Sequence, residues 1–262
     1  MMKARTAALF ISLFLMMVPL YGQSAEGDYM QIDYFYVQPE GLDQFMEQVQ
    51  GFWLEVQKER FEENEITGWH LYRVRYQGNR EKIYNFVSVT SATSLSAYED
   101  LYGSAEPDPD SENGEGLMAW QLMKNIVHSE LWRVRNSVLR DTSMSPSRFK
   151  VMDYMDVGLG REYEYRMFED EVARPLHEER MNLNTMNAWE LYELISPGGI
   201  RYGYNFATGN FYNNLANIEF GFTDELIRDS HPDVNMVEFF EAIFSTRDLV
   251  ESSLWELVQF IE

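Results

Sequence analysis

The chain has 262 residues, with 43 Asp and Glu against 21 Lys and Arg, a formal charge of −22. A field of that sign repels phosphate backbones and anionic lipid, which are held through Lys and Arg, so nucleic acid is excluded as a partner class. There is no cysteine, so disulfides and a Cys-linked acyl anchor are excluded as well.

Lys3 and Arg5 precede an apolar run from Ala7 to Leu20, interrupted by Ser12 and Pro19. Spanning a bilayer takes about 20 apolar residues. The run is shorter, and Gly22, Ser24 and Ala25 are small enough to flank a cleavage site. Residues 1–25 are therefore expected to be a signal peptide, leaving no membrane span after cleavage. Export of a chain without cysteine points to a secreted or periplasmic bacterial protein.

Met30 to Val37 is rich in aromatic and β-branched residues and predicts a strand, ended by Pro39 and Gly41. Leu42, Phe45, Val49, Phe52/Trp53 and Val56 follow at helical spacing, and this helix runs out near Asn64. Trp69 to Tyr76 predicts a second strand, residues 77–80 a turn, and Ile83 to Val89 a third strand paired with the second. A helical region from Ser94 to Val127 is broken between Gly103 and Gly116, and Glu130 to Val138 predicts a last strand. After a polar linker, 141–147, the order repeats. It gives a strand at Phe149–Val157 and a helix through Tyr165, Phe168, Val172 and Leu176 that Pro175 is expected to kink. Strands follow at Trp189–Ile195 and Tyr202–Thr208, then a helical region from Asn213 to Phe244, and a strand at Leu254–Ile261.

The repetition is also literal. Trp69-His70-Leu71-Tyr72 and Tyr84-Asn85-Phe86 recur as Trp189-Glu190-Leu191-Tyr192 and Tyr204-Asn205-Phe206, at a constant offset of 120 residues. Asp33-Tyr34, Glu59-Arg60 and Asn64 recur at the same offset; Leu131-Trp132 recurs at 123. The expected domains are 28–140 and 148–262, each strand-helix-strand-strand-helix-strand, the split βαβ arrangement with helices on one sheet face. Strands such as Ile32–Val37 carry bulky residues on both faces and expect cover on both. The expected class is α+β: two tandem ferredoxin-like (βαββαβ) repeats packing sheet to sheet as an intramolecular α/β barrel.

This order of elements, the duplication, the Trp-x-Leu-Tyr strand after a long charged helix and the Pro197-Gly198-Gly199 turn before Tyr-x-Tyr-Asn-Phe resemble the dimeric α/β-barrel superfamily, in particular its uncharacterised secreted bacterial members. The resemblance implies the fold and leaves activity open among small-substrate monooxygenases, haem-degrading enzymes, isomerases and proteins with no assigned reaction. The haem-degrading branch uses an Asn, a Trp and a His. Asn85, Asn205, Trp69 and Trp189 fall on hairpin strands, where that branch does not carry them, so those roles are not transferred and no cofactor is expected.

The four histidines lack metal-ligand spacing, so no metal site is expected. His177, whose counterpart is Gln57, reads as part of a polar helix face. The acidic stretch from Asp108 has Asn113 and Ala119 where a calcium loop needs Gly and Glu, and reads as an insertion. The repeated Glu59-Arg60 and Glu179-Arg180 read as a fixed ion pair or helix cap.

Arg73 and Arg75 alternate on a strand, with Glu193 and Ile195 as counterparts. If their face looks into the barrel, Arg73 is expected either to pair with Glu193 or to meet an anionic ligand. A binding site for a small apolar or aromatic molecule is expected between the sheets. Its candidate residues are Tyr34, Trp69, Tyr72, Arg73, Arg75 and Tyr84 with Tyr154, Trp189, Tyr192, Glu193 and Tyr204, of which alternation lets about half face inward. The alternatives are a cofactor-poor monooxygenase or isomerase in the same space, and an interaction protein with a filled barrel.

Overall fold

Alternating aromatic strands of this kind need a partner for every edge and cover for both faces, and a closed barrel supplies both. The computed structural model of the protein describes residues 27–76, 84–99, 108–110, 114–139, 145–199, 201–233 and 235–262. The expected signal peptide, the 77–80 turn and part of the 141–147 linker lie outside these.

The first half contains β1 (Tyr29–Phe35), α1 (Leu42–Gln48), a π-helical turn (Val49–Trp53), α2 (Leu54–Glu62), β2 (Gly68–Arg75), β3 (Phe86–Ala92), α3 (Glu115–Met123) and β4 (Ile126–Leu139). The second contains β5 (Phe149–Val157), α4 (Glu162–Phe168), a second π-helical turn (Glu169–Ala173), α5 (Arg174–Asn182), β6 (Ala188–Ser196), β7 (Phe206–Tyr212), α6 (Asp224–Ser230), α7 (Met236–Thr246) and β8 (Arg247–Ile261). Pro175 lies at the start of α5, directly after the π turn, so the irregularity precedes the proline and is shared with the first half. Asn64 and Asn184, with φ of 60° and 57°, turn the chain out of the two helices in the left-handed conformation that Asn tolerates.

The eight strands form one closed barrel in the order β1-β3-β2-β8-β5-β7-β6-β4. The halves do not stack as separate sheets. They join edge to edge, β2 pairing with β8 and β4 with β6, all antiparallel. The long strands β4 and β8 each serve both halves, which is why they extend well before the expected Glu130 and Leu254. Strands β3 and β7 start at Phe86 and Phe206, later than expected, and the repeated Asn explains it. The Asn85 side chain accepts from the Val37 amide at 2.9 Å and donates to the Val37 carbonyl at 2.7 Å. Asn205 does the same to Val157 at 2.8 and 3.0 Å. A side chain thus replaces the strand ladder there.

Alternation sorts the aromatics. Tyr34, Tyr72, Tyr84, Trp132, Tyr154, Tyr192, Tyr204 and Trp255 fill the barrel interior. Trp69, Leu71 and Phe86 face α1 and α2 with Phe45 and Trp53; Trp189, Leu191 and Phe206 face α4 with Tyr165. Among the described residues no helix is long and apolar enough to cross a membrane.

Candidate functional site

The space between the halves is occupied by the protein's own side chains. The Tyr34 and Tyr154 hydroxyls meet at 2.7 Å, and Tyr34 donates to Glu130 Oε2 at 2.7 Å. Trp132 Nε1 donates to the same oxygen at 3.0 Å, while the Tyr202 and Tyr204 hydroxyls donate to Oε1. A carboxylate offers about four lone-pair sites, so Glu130 is fully used although it is buried. Burial, with neighbouring tyrosines and Glu130, holds the Tyr34 and Tyr154 phenols well above their usual range.

Toward the other mouth, Lys150 Nζ lies 4.9 Å from the ring centroids of Tyr192 and Phe211 and 5.7 Å from that of Trp255. Burial pushes this amine down to about 8, opposed by Glu190, which also accepts from the Tyr192 hydroxyl. The cavity left at this mouth, beside His70, Tyr72 and Glu262, is about 30 Å³. That is about room for one water.

Of the residues expected to line a site between the sheets, the six tyrosines Tyr34, Tyr72, Tyr84, Tyr154, Tyr192 and Tyr204 are together in this interior. Trp69, Trp189, Arg73 and Glu193 are on the outer face, because their parity along β2 and β6 points them at the helices. Arg73 and Glu193 therefore do not meet. Glu193 pairs with Arg135, and the Arg73 guanidinium lies 5.6 Å from the Phe86 ring centroid. Arg75 bonds Glu256 at 2.8 Å, an oxygen pair also shared with Arg148.

A larger cavity, about 290 Å³, lies outside the barrel, between the second half's sheet and the second π turn, α5 and α7. Its origin is legible by comparing the halves. In the first, Trp53 and Val49 of the π turn pack onto Trp69 and the sheet. At the same offset the second half has Ala173 and Glu169. Losing an indole opens the space, and a carboxyl enters it. His177, in the place of Gln57, and Arg180, in the place of Arg60, descend from α5. The His177 ring lies against the Trp189 indole at 5.0 Å and against Phe222 at 5.4 Å. Asp153, Thr208 and Asn210 rise from the sheet, with Asn210 Nδ2 donating to Asp153 at 3.1 Å.

The electrostatics are those of a pocket whose ionisable side chains are largely buried. Burial pushes the Glu169 carboxyl up to about 7, opposed by Tyr165 and Arg247. Burial likewise raises Asp153, opposed by Ser252 and Arg247. Burial and then Arg180 hold His177 well below its ordinary value, so the imidazole is neutral. Because the folded state prefers protonated Glu169, its stabilising effect is complete below the ordinary value of 4.5 and is lost as pH rises to about 7. Stability should fall across that window, and Glu169→Gln should flatten the fall. Urea midpoints measured between those two pH values check this; an unchanged slope in the variant would place Glu169 in contact with water.

Sequence reasoning passed over Glu169, Ala173 and Arg180 as site residues and set His177 on a solvated face. The signal that could have found them was the size mismatch between aligned copies at one helix face, Trp53 against Ala173.

No protein-family model matches the chain, and no curated protein matches it. Solved structures do. A candidate monooxygenase from Fusobacterium nucleatum superposes with a TM-score of 0.56 at 11% identity, over 90% of this chain and 95% of the other. A chlorite dismutase from Candidatus Nitrospira defluvii gives 0.53 at 9% identity, over 90% and 93%. A heme-binding protein from Thermus thermophilus gives 0.50 at 9% identity, over 92% and 95%. At such identities the likeness is one of fold, and the chain shares the closed α/β barrel of these monooxygenase-like and chlorite dismutase-like proteins.

Proposed function

We propose that this is an exported small-molecule-binding protein, built as two copies of a ferredoxin-like unit, whose site is the cavity of the second half. The observation that carries the reading is the exchange of Trp53 for Ala173, which leaves one copy filled and the other hollow around an otherwise matching frame. The lining suits a small aromatic or apolar molecule with a polar edge. Trp189, Leu176, Phe222 and Ile243 supply apolar walls, and a few placed polar groups supply orientation.

The test is Ala173→Trp, which restores the first half's residue. The wild type should gain thermal stability with members of a panel of aromatic acids, quinones, fatty acids and haem. A ligand at 100 times its dissociation constant contributes about 2.7 kcal/mol. Ala173→Trp should fold, match or exceed the unliganded wild type in Tm, and lose the shift. A ligand that shifts both proteins equally would move the site elsewhere.

Glu169 favours a second reading, an enzyme of the cofactor-poor monooxygenase or isomerase kind. A carboxyl poised near 7 beside an apolar wall is suited to take a proton from a bound substrate. Haem, which one of the similar proteins is described as binding, fits these residues poorly. A ligating histidine is normally fixed by a partner on its second nitrogen, whereas His177 Nδ1 has none among the described residues and its ring lies flat on Trp189.

A further inference from the structure

We infer that the molecule held in the second half's cavity is an aromatic carboxylate whose anionic group binds Arg180, an inference that rests on the cavity being the binding site. The first half shows what an arginine at this position needs when the protein satisfies it internally. Arg60 Nε donates to Glu65 at 3.2 Å, and its Nη2 donates to the Ala97 carbonyl at 2.7 Å. Arg180 has lost both. Thr185 stands in the place of Glu65, and its hydroxyl is turned to the Arg180 carbonyl at 3.0 Å. The residue as a whole is only 4% exposed. It donates from Nη2 to the Tyr212 hydroxyl at 3.2 Å and lies 5.5 Å from the Phe222 ring centroid. Its Nε has no partner, and among the described residues no carboxylate forms an ion pair with it. A buried cation without an anion is costly, and one beside a cavity is completed most simply by an anionic ligand.

A neighbouring donor tells the same story. In the first half, Trp69 Nε1 donates to Ser88 Oγ at 2.7 Å. In the second, Thr208 replaces Ser88 and accepts from Asn210 at 3.4 Å, while Trp189 Nε1 is buried with no partner. Phe222 is shared by His177 and Arg180, and His177 stacks on Trp189, so the indole with its unpaired N–H and the guanidinium without a carboxylate line the same cavity. The cavity's other cation, Arg247, lies near enough to Asp153 and Glu169 to act on both carboxyls. The corner therefore offers one cation, one spare N–H and two aromatic faces, which is the chemistry that recognises a ring bearing a carboxylate.

The experiment titrates benzoate, phenylacetate and 2-naphthoate against their carboxamides, by calorimetry and thermal shift, in wild type, Arg180→Met, Arg180→Lys and Trp189→Phe. Acids should bind at least tenfold more tightly than amides in the wild type. Arg180→Met should erase that preference while leaving the unliganded Tm unchanged or higher, since an unpaired buried charge is removed. Arg180→Lys should keep part of the preference, and Trp189→Phe should weaken acids more than amides, beyond the loss of unliganded Tm that the smaller ring brings. A guanidinium that is merely structural would instead lower the unliganded Tm of both Arg180 variants and leave the acid-to-amide ratio alone. Amides binding as tightly as acids in the wild type would overturn the inference and leave the cavity standing as the site. If neither series binds, and Ala173→Trp alters no ligand's shift, the cavity reading fails along with it.

Discussion

Glu130→Ala should destabilise the protein by about 3–5 kcal/mol, the scale found when one member of a buried, hydrogen-bonded charged cluster is removed. Four donors converge on this carboxylate: Tyr34, Tyr202, Tyr204 and the Trp132 indole. Truncation strands them in the barrel, and each buried donor left unmade costs on the order of 1–3 kcal/mol before the interior relaxes. Glu130→Gln retains an acceptor oxygen but puts donors where two hydroxyls now point, so about half that loss is expected. The counterpart at the 123 offset is Ser253, which accepts the Trp255 indole at 2.9 Å and also bonds the Tyr84 hydroxyl. Ser253→Ala, which breaks two neutral bonds and strands no charge, should lose less, about 1–2 kcal/mol. Urea denaturation at neutral pH compares the three. A loss of under 1 kcal/mol for Glu130→Ala would mean that water, not protein, satisfies these hydroxyls.

Gly209→Val should cost about 3 kcal/mol, at the upper end of what overpacking a core does. Valine is what the first half carries at this place, Val89. In the second half, a Cβ on residue 209 would stand 2.5 Å from the Tyr192 hydroxyl and 2.9 Å from Lys150 Cε. Both neighbours are held. Tyr192 donates to Glu190, and the Lys150 amine lies among three rings. The glycine is thus required by close approach and not by backbone conformation. Adding Lys150→Met, the residue of the first half, should recover part of the loss because a thioether chain bends out of the way more cheaply than a caged ammonium. Thermal unfolding of the single and double variants checks the coupling. A single variant as stable as wild type would show that the Tyr192 ring is free to move.

The architecture was legible where the sequence repeats itself. The constant offset marked the halves, and it paired Asn85 with Asn205, although the bonds these side chains make between strand ends appear only in the structure. Parity could not be read. Strands such as Trp69–Arg75 are bulky or charged on both faces, so nothing local says that Tyr72 looks in and Trp69 looks out. Edge-to-edge closure was equally invisible, since pairing of β2 with β8 joins residues nearly two hundred positions apart and leaves no short-range mark. That closure narrowed the lumen to the width of its own tyrosines, and the larger cavity described above lies outside it. The cavity was half visible. Trp53 and Ala173 could be aligned by offset alone, but the size difference matters only once the π turn is known to sit on the sheet beside Trp189.

The hydroxyl contact between Tyr34 and Tyr154 has a consequence for how such a barrel can be encoded. Two hydroxyls related by the repeat share one proton between them, and with identical surroundings neither direction of donation would be preferred. Glu130 removes that degeneracy by claiming the Tyr34 proton, which obliges Tyr154 to donate to Tyr34. A carboxylate on one side only is possible because the opposite position is Ser253. A barrel assembled from two identical chains would have to place the same side chain at both positions, either two buried carboxylates or none. Carrying both halves on one polypeptide frees each position to vary alone, and the polarity of a single hydrogen bond at the centre then separates a left from a right in an otherwise matched pair.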